Sequence, residues 1–491
     1  MNPITARRIL WAGLALYVAG FSLTLPKAFS VKDEVFYTLG ARTLSEGSTR
    51  VALTNPLSGE TRWVLPSTYP AGTSLIEVPF VFLFGWQSAP WASVFALIFA
   101  TLLTAALLVA RGQSPAFALI VLGFPPTLVM GRLAMSDVPS AAVVALGLWL
   151  FWKGEGRAPK WWLASGFVAG ASLLFRETDI LLFAPLFAGT LFRRERGRLA
   201  LIAGGLAGCA LRPILMGLLT GDPFLFHPNS YRWSLGAFAR NAPLYGMALL
   251  IMVPAGIVLA VLHRGKRRPE TIFTVVAYSV LFCGYEYAGK ESGGLKGLVL
   301  GARFLIPLLP WLAICAADTL PRLASEWSER TRTIGAAAAR VWIAGIFIAI
   351  LAVHLVVGRW SDAQHRLVRI IYANTTESRP IITGLAATER LINPLYGPRN
   401  VIDRIDLASW QVPEFLGQRG YAHLILLDRT GSDFWNRVTE ENERYVEEVS
   451  RLCRLELLDN AEEKSIGRLR IWKIRNCDAP AQTSPPAASR D

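Results

Sequence analysis

Long apolar runs separated by short polar stretches fill the first 360 residues. They cover approximately 9–26, 73–86, 89–110, 115–131, 138–152, 161–175, 179–192, 199–219, 243–262, 271–288, 302–317 and 341–357. Stretches such as Trp91 to Ala110 and Val341 to Val357 carry no Asp, Glu, Lys or Arg. They are about as long as a helix that crosses a bilayer. Their recurrence excludes a lone signal peptide. One run stands apart: 73–86 is short, contains Glu77 and Pro79, and follows a polar stretch.

The basic residues decide how the runs are threaded. Arg7 and Arg8, Arg111, Lys153 to Lys160, Arg193 to Arg198, Arg264 to Arg268 and Arg322 to Arg340 hold most of the basic clusters. They fall on one side, as positive-inside loops should, only if 73–86 does not cross. The expectation is therefore eleven spans, with the N-terminus cytoplasmic, the C-terminus outside, and 73–86 a re-entrant or interfacial helix. The outer stretches are then 29–88, the loop around Asp137, the turn Arg176 to Asp179, 220–242 and 289–303. Within the first, Asp33 to Ser45 reads as an amphipathic helix along the membrane surface, with Phe36, Leu39 and Leu44 on one side.

After Gly358 the composition changes. Pro380 to Thr383, Asn400 to Ile402 and His423 to Asp428 read as strands. Val438 to Leu452 reads as an acidic amphipathic helix with Val438, Tyr445, Val449 and Leu452 on one face. Strands 454–458 and 468–474 follow. The organisation predicted is all-α and polytopic over 1–360, with about eleven transmembrane helices plus interfacial helices. A small extracytoplasmic α/β domain over 361–477 and a disordered, Pro-, Ala- and Ser-rich tail over 478–491 complete it.

Composition agrees with a lipid solvent. Of 491 residues, 53% are hydrophobic and 18% charged, against about 25% charged in soluble domains. The net charge of +14 is not a nucleic-acid signal, because the cations sit in short loops that orient helices. Cys209, Cys283 and Cys315 lie in apolar segments and read as packing residues. No CxxC or HExxH element suggests a structural zinc. Cys453 and Cys477 stand equally far from the midpoint of the predicted C-terminal hairpin. Residues so placed face each other at a separation a disulfide bridges, in a compartment oxidising enough to form it.

Ionisable residues near a membrane are costly to place and are functional candidates by default. Asp33 is the first acid in the chain, just past the first span, and Glu34 adjoins it. Between Glu77 and Glu155 the only acid is Asp137, in Arg132-Leu-Ala-Met-Ser-Asp137-Val-Pro139. Two carboxylate sites at the mouths of outer-face spans suit general-base chemistry. Each has a plain alternative. Asp137 before Pro139 fits a helix cap, and Asp33 fits a cap of the interfacial helix. Arg176-Glu-Thr-Asp179 reads as an ion-paired turn, and His354 as a packing histidine.

The ordered set of these motifs resembles the GT-C glycosyltransferases. It begins with a span, Lys32-Asp33-Glu34-Val-Phe-Tyr37, an amphipathic helix, and Tyr69-Pro70-Ala-Gly with a short apolar helix. Two spans, Arg132 to Pro139, Gly221-Asp-Pro-Phe224, and Gly301-Ala-Arg303-Phe-Leu-Ile-Pro307-Leu-Leu-Pro310 complete it. More narrowly, the set is similar to the protein O-mannosyltransferase and lipid A aminoarabinose transferase branch, over roughly 10–360. Tyr69-Pro70-Ala71 stands where His-Pro-Pro is usual there, so no histidine role carries over. The resemblance implies that Asp33, with Glu34 beside it, sits at the reaction centre and that Asp137 is the second acid. Cations should meet the leaving phosphate. Arg303, Lys296 and Arg132 are the outer-face candidates, with Lys32 beside the first acid. Arg303 is preferred, because a guanidinium binds phosphate oxygens bidentately. Its alternative is a snorkelling interfacial Arg.

The function expected is inverting transfer of a sugar from a polyprenyl-phosphate carrier to a lipid, glycan or protein acceptor, outside the plasma (inner) membrane. The partners implied are that donor, membrane lipids and the acceptor, without nucleic acid. No cofactor is named by the sequence, and a divalent metal is left open. A transporter or flippase of lipid-linked substrates is the rival class. It would favour charges near the midplane and inverted repeats, whereas here the acids cluster at span ends. A non-catalytic scaffold of the same fold is the third reading.

Overall fold

The computed structural model describes residues 3–54, 57–155, 158–225, 232–253, 256–265, 267–285, 301–384, 390–417, 419–429 and 433–477. The expected disordered tail, 478–491, lies outside the described residues. The chain divides into two compact units. The first is Met1–Pro26, Phe36–Thr49 and Leu65–Gly358; the second is Lys27–Val35, Arg50–Val64 and Arg359–Asp491.

Helices build the first unit. In chain order they are α1 (Pro3–Leu23), α2 (Lys32–Ser45, shared with the second unit), α3 (Gly72–Phe84), α4 (Pro90–Ala110), α5 (Leu119–Gly123), α6 (Pro125–Met130), α7 (Asp137–Gly154), α8 (Pro159–Ala171), α9 (Ile180–Phe192), α10 (Arg198–Thr220), α11 (Leu235–Met247), α12 (Gly256–Val261), α13 (Arg268–Cys283), α14 (Leu309–Glu326) and α15 (Glu329–Asn374, shared with the second unit from Arg359 on). Among the described residues, five helical stretches are long and apolar enough to cross a membrane: Ile4–Leu23, Trp86–Ala110, Arg198–Thr220, Ala302–Glu326 and Glu329–Asn374. Helix α3 has 13 residues. At about 1.5 Å per residue it falls short of a hydrocarbon core of about 30 Å. It buries Glu77 and Val81 and leaves Phe82, Leu83 and Phe84 exposed at its end.

Two apolar runs that read as unbroken are interrupted. The run 115–131 is a 3-10 turn over Pro115–Ala118, then α5 and α6, with extended backbone at Phe124. Pro125 disfavours helical backbone in the residue before it. Leu119 to Phe124 are buried, and irregular backbone is tolerated at membrane depth where protein covers it. The run 243–262 breaks likewise between the end of α11 and α12, through a π turn at Ala248–Met252.

Close helix packing relies on small residues, as membrane helices commonly do. On α8 and α10, Gly166 and Gly170 face the backbone at Leu201 and Gly205, while Gly204 and Gly208 face the backbone at Leu163 and Phe167. A Cβ at any of the four would collide with main-chain atoms that cannot step aside.

The charged loops read as cytoplasmic meet at one end of this unit. Arg111 pairs with Asp318 at 2.7 Å. Arg267 pairs with Glu155 and Glu195, each at 2.8 Å. Arg193 pairs with Glu270 at 2.5 Å. Helix α7 runs from Asp137 to the residue before Glu155, so its 18 residues put about 27 Å between this cluster and its start. That is close to one hydrocarbon thickness.

The second unit contains a hairpin, β1 (Val51–Thr54) with β2 (Thr61–Val64), and a five-stranded sheet. The sheet strands are β3 (Pro380–Thr383), β4 (Asn400–Asp403), β5 (Ala422–Asp428), β6 (Cys453–Glu463) and β7 (Gly467–Cys477), in the order β4-β3-β5-β7-β6. The first three are parallel; β7 lies antiparallel to both neighbours. Alternation along β5 divides the core. Ile425 and Leu427 pack with Leu367 and Ile371 of α15, and Leu424 and Leu426 pack toward α16 (Val412–Gly417) and α17 (Asp433–Leu452). Cys453 and Cys477 are register partners, and their sulfurs are bonded.

Candidate active site

At the other end of α7 from the Arg267 cluster, a buried charged cluster forms at the starts of α7 and α9. Asp137 is the first residue of α7. Ser136 holds the cap position without a side-chain bond, and the Asp137 carboxylate accepts from Arg176 Nη1 at 2.6 Å. Its acid charge still suits a helix N-terminus, but its partner is a cation from another turn. Asp179, at the start of α9, accepts from Ser140 Oγ at 2.5 Å. Arg212 of α10 donates to Glu177 at 2.8 Å and to the Leu225 carbonyl at 3.2 Å. All three acids and both arginines are thus fixed by partners from distant segments.

Aromatic rings hold the cations in place. Phe282 and Phe304 stack with centroids 5.0 Å apart. The Arg176 guanidinium lies 5.1 Å from the Phe304 centroid, and that of Arg303 lies 5.2 Å from the same ring. Arg303 belongs to the 3-10 turn Ala302–Leu308, whose approach is fixed where Tyr245 donates to the Gly301 carbonyl at 3.1 Å. The charged partner of Arg176 is Asp137, with Arg303 on the other side of the shared ring system. Two guanidinium groups on one ring, opposed by two carboxylates, make a site suited to an anion whose charge grows during a reaction.

The expected site residues are not all gathered here. Asp137 and Arg303 are. Arg132 is fully buried and committed elsewhere: it donates to Thr24 Oγ1 at 2.8 Å and to the Thr24 carbonyl at 2.6 Å, touches His354 Nδ1, and lies against Phe21. It anchors the end of α1. Lys296 lies outside the described residues. Among the described residues, no group of three or more His, Cys, Asp or Glu side chains could hold a metal ion.

Lys32, Asp33 and Glu34 belong to the second unit. Glu34 is buried at the third position of α2, and its Oε2 accepts from the backbone N–H of Ser30 at 2.7 Å and Val31 at 3.0 Å. That is the return half of a capping box. Capping therefore falls to Glu34, while Asp33 is half-buried and Lys32 exposed.

Two features escaped the sequence reading. Arg176 read as a partner of its own turn, but it pairs with Asp137, 39 residues away. Arg212 drew no notice, although a single arginine inside the apolar run 199–219 was the available signal. Gly221-Asp-Pro-Phe224 proves to be a terminator. Gly221 takes φ 81° at the end of α10, as a helix-ending glycine does, and Asp222 accepts from the Phe224 N–H at 2.9 Å.

No family model and no curated protein matches this sequence. Solved structures do share its fold. ArnT from Cupriavidus metallidurans bound to undecaprenyl phosphate is 14% identical, with a TM-score of 0.61 over 96% of this chain and 98% of that one. ArnT of that organism in the apo state is 15% identical, with a TM-score of 0.62 over the same shares. The chain thus adopts the fold of these ArnT structures, in line with the resemblance of its ordered motifs.

Proposed function

We propose that the chain is a membrane-embedded glycosyltransferase that takes its sugar from a polyprenyl-phosphate donor. The observation that carries this reading is the pair Arg176 and Arg303 on Phe304, held by Asp137 in a GT-C fold. ArnT, the structural neighbour, binds undecaprenyl phosphate, and a polyprenyl phosphate is the donor proposed here.

In the proposed reaction an acceptor hydroxyl or amine attacks the anomeric carbon. The bond from that carbon to the phosphate oxygen breaks, and the electron pair leaves on the phosphate. The acceptor proton passes to a carboxylate, and configuration inverts. Asp33 is assigned as that base from the sequence resemblance; Glu34 already serves α2 as its cap. Arg303, with Arg176 beside it, receives the growing phosphate charge, where a guanidinium fork is stronger than a point charge. Asp137 fixes Arg176. Lys32 and Lys296 are retained as further donor contacts, whereas Arg132 is a structural anchor.

The topology proposed is eleven spans, with the N-terminus cytoplasmic and the C-terminal α/β domain, 361–477, outside the plasma (inner) membrane. Convergence of Arg111, Arg193, Arg267 and Arg322 loops at one end supports it. The acceptor is a lipid, a glycan or a protein. Reconstituted protein given a labelled polyprenyl-phosphate sugar tests the function. Transfer releases free polyprenyl phosphate, whereas a flippase moves the intact conjugate across the bilayer and releases none.

A further inference from the structure

The second unit gathers positive charge at the N-terminal end of its parallel strands. His423, on β5, is 3% exposed and shares a sheet face with Ile425 and Leu427. Lys473 stands directly opposite it on β7. The Lys473 ammonium lies 4.3 Å from the centroid of Tyr421, and the Arg379 guanidinium lies 4.4 Å from the same ring. Arg399 lies over Tyr372 at 4.3 Å and is steered there by bonds to Thr375 Oγ1 at 3.1 Å and the Thr375 carbonyl at 3.3 Å.

Acids do not balance this group. Among the described residues no carboxylate pairs with Arg379 or Lys473. Glu456, across from Lys473 on β6, is taken by Arg475 at 2.7 Å. Glu377 stands 3.9 Å from Arg399. Sharing one ring keeps the Arg379 and Lys473 charges within roughly 9 Å of each other, where they repel. Stacking on Tyr421 offsets only part of that repulsion. His423 adds a second sign of an unfilled site, because its buried Nδ1 has no hydrogen-bond partner. Burial, then Lys473, Arg399 and Arg379, push its pKa down to about 4. The ring is therefore neutral at physiological pH and has an N–H to offer without adding charge.

We infer that Arg379, Lys473 and His423 form a binding site for a phosphate-bearing ligand, separate from the proposed transfer reaction. Two unbalanced cations match the roughly two negative charges of a phosphate monoester at neutral pH. Arg379 Nη1 donates to the Arg419 carbonyl, so Nε and Nη2 are the paired donors for the phosphate oxygens, and the ammonium supplies a point charge. Tyr421 keeps both cations beside His423, whose ring centroid lies 5.5 Å from its own. A metal ion is excluded by the same charges. The phosphate is carried by a soluble carbohydrate or by a lipid headgroup, which present the same chemistry.

The test uses the full chain in nanodiscs of phosphatidylcholine, titrated calorimetrically with inorganic phosphate, glucose 6-phosphate and glucose. Saturable binding is expected for the first two and none for glucose. The Arg379→Gln/Lys473→Gln double variant should weaken binding by roughly tenfold or more, given the strength of charge-assisted bonds. Repeating the titration in nanodiscs with phosphatidic acid, whose headgroup is a phosphate monoester, separates the sources. Unchanged glucose 6-phosphate binding supports a soluble phosphate, and its displacement supports a headgroup. Absence of saturable phosphate binding, or equal binding by the double variant, would overturn the site. Histidine-labelled wild-type protein gives a check independent of any variant. Phosphate must shift the His423 resonance, and an unmoved resonance also overturns it.

Discussion

Arg176 reaches from the turn before α9 to the first residue of α7 and donates to Asp137 across 2.6 Å, and both side chains are nearly shut off from solvent. Losing one member of such a pair leaves the other charged, buried and alone, which costs about 3–5 kcal/mol. Replacing both members removes most of that penalty. The pair therefore ties the fold of this end of the helical unit to the position of a proposed phosphate ligand.

Asp137→Asn should lower thermal stability markedly and reduce transfer by roughly a hundredfold, the cost of misplacing Arg176 by about 1 Å. Arg176→Met alone should be destabilised to a similar degree. The double variant should recover most of the stability and none of the activity. Additive stability losses in this cycle would show that the two side chains do not interact in the folded protein.

Arg303 offers a narrower test, because Lys keeps the charge and loses the fork. Arg303→Lys should be folded yet at least about tenfold slower, with weaker donor binding, as expected when a bidentate charge-assisted contact is lost. Donor affinity and turnover equal to wild type would remove Arg303 from the site and leave it a snorkelling residue.

Glu34 should respond to shape more than to charge. Gln accepts the same two backbone bonds, so Glu34→Gln should keep α2 intact and lose the least activity of the three acids. Glu34→Ala should cost about 1 kcal/mol, as loss of a cap does. Amide hydrogen exchange over Ser30 to Phe36 would report it as faster opening, and unchanged exchange there would contradict the capping role.

Cys453 and Cys477 are separated by 24 positions. A loop of that length gives a chain-entropy stabilisation of about 3 kcal/mol. Reduction should accelerate exchange in β6 and β7 while leaving α7 and α8 unaffected. The bond also reports location, since a cytoplasmic compartment would keep both thiols reduced. Natively purified, unreduced protein with two free thiols would argue against both the bridge and the outer placement of the second unit.

How much of this could be read from sequence follows from the range of each interaction. Spans such as Trp86–Ala110 were legible because lipid demands one contiguous apolar stretch, and Glu77 with Pro79 marked α3 as different. The strands around Ile382 and Leu424 are legible as short apolar runs buried on both faces, and the strand around Ile471 from alternation. The break at Phe124 was not, because Pro125 and Pro126 sit inside an apolar run that protein, rather than lipid, covers. Nor did the sequence show that Lys27–Val35 and Arg50–Val64 join the second unit, which depends on long-range packing. At the site, Asp137 and Arg303 stood out as ionisable residues at span mouths. Arg176 did not, because Glu177 and Asp179 offered local partners that masked its pairing with Asp137. Arg132 looked like a phosphate ligand by position alone, and only its bonds to Thr24 reveal an anchor.

The proposed reaction depends most on its base. Asn at position 33 keeps the size and hydrogen-bonding capacity of Asp and removes its charge, and loss of a general base typically costs about 10²–10⁴-fold in rate. The measurement is release of polyprenyl phosphate from a labelled polyprenyl-phosphate sugar by purified, reconstituted wild type and Asp33→Asn. The expected result is acceptor-dependent release by wild type, with the variant folded, still binding donor, and slower by about a hundredfold or more. Asp33→Asn turnover within about threefold of wild type would end the assignment of Asp33, and no release by wild type with any acceptor would contradict transfer itself.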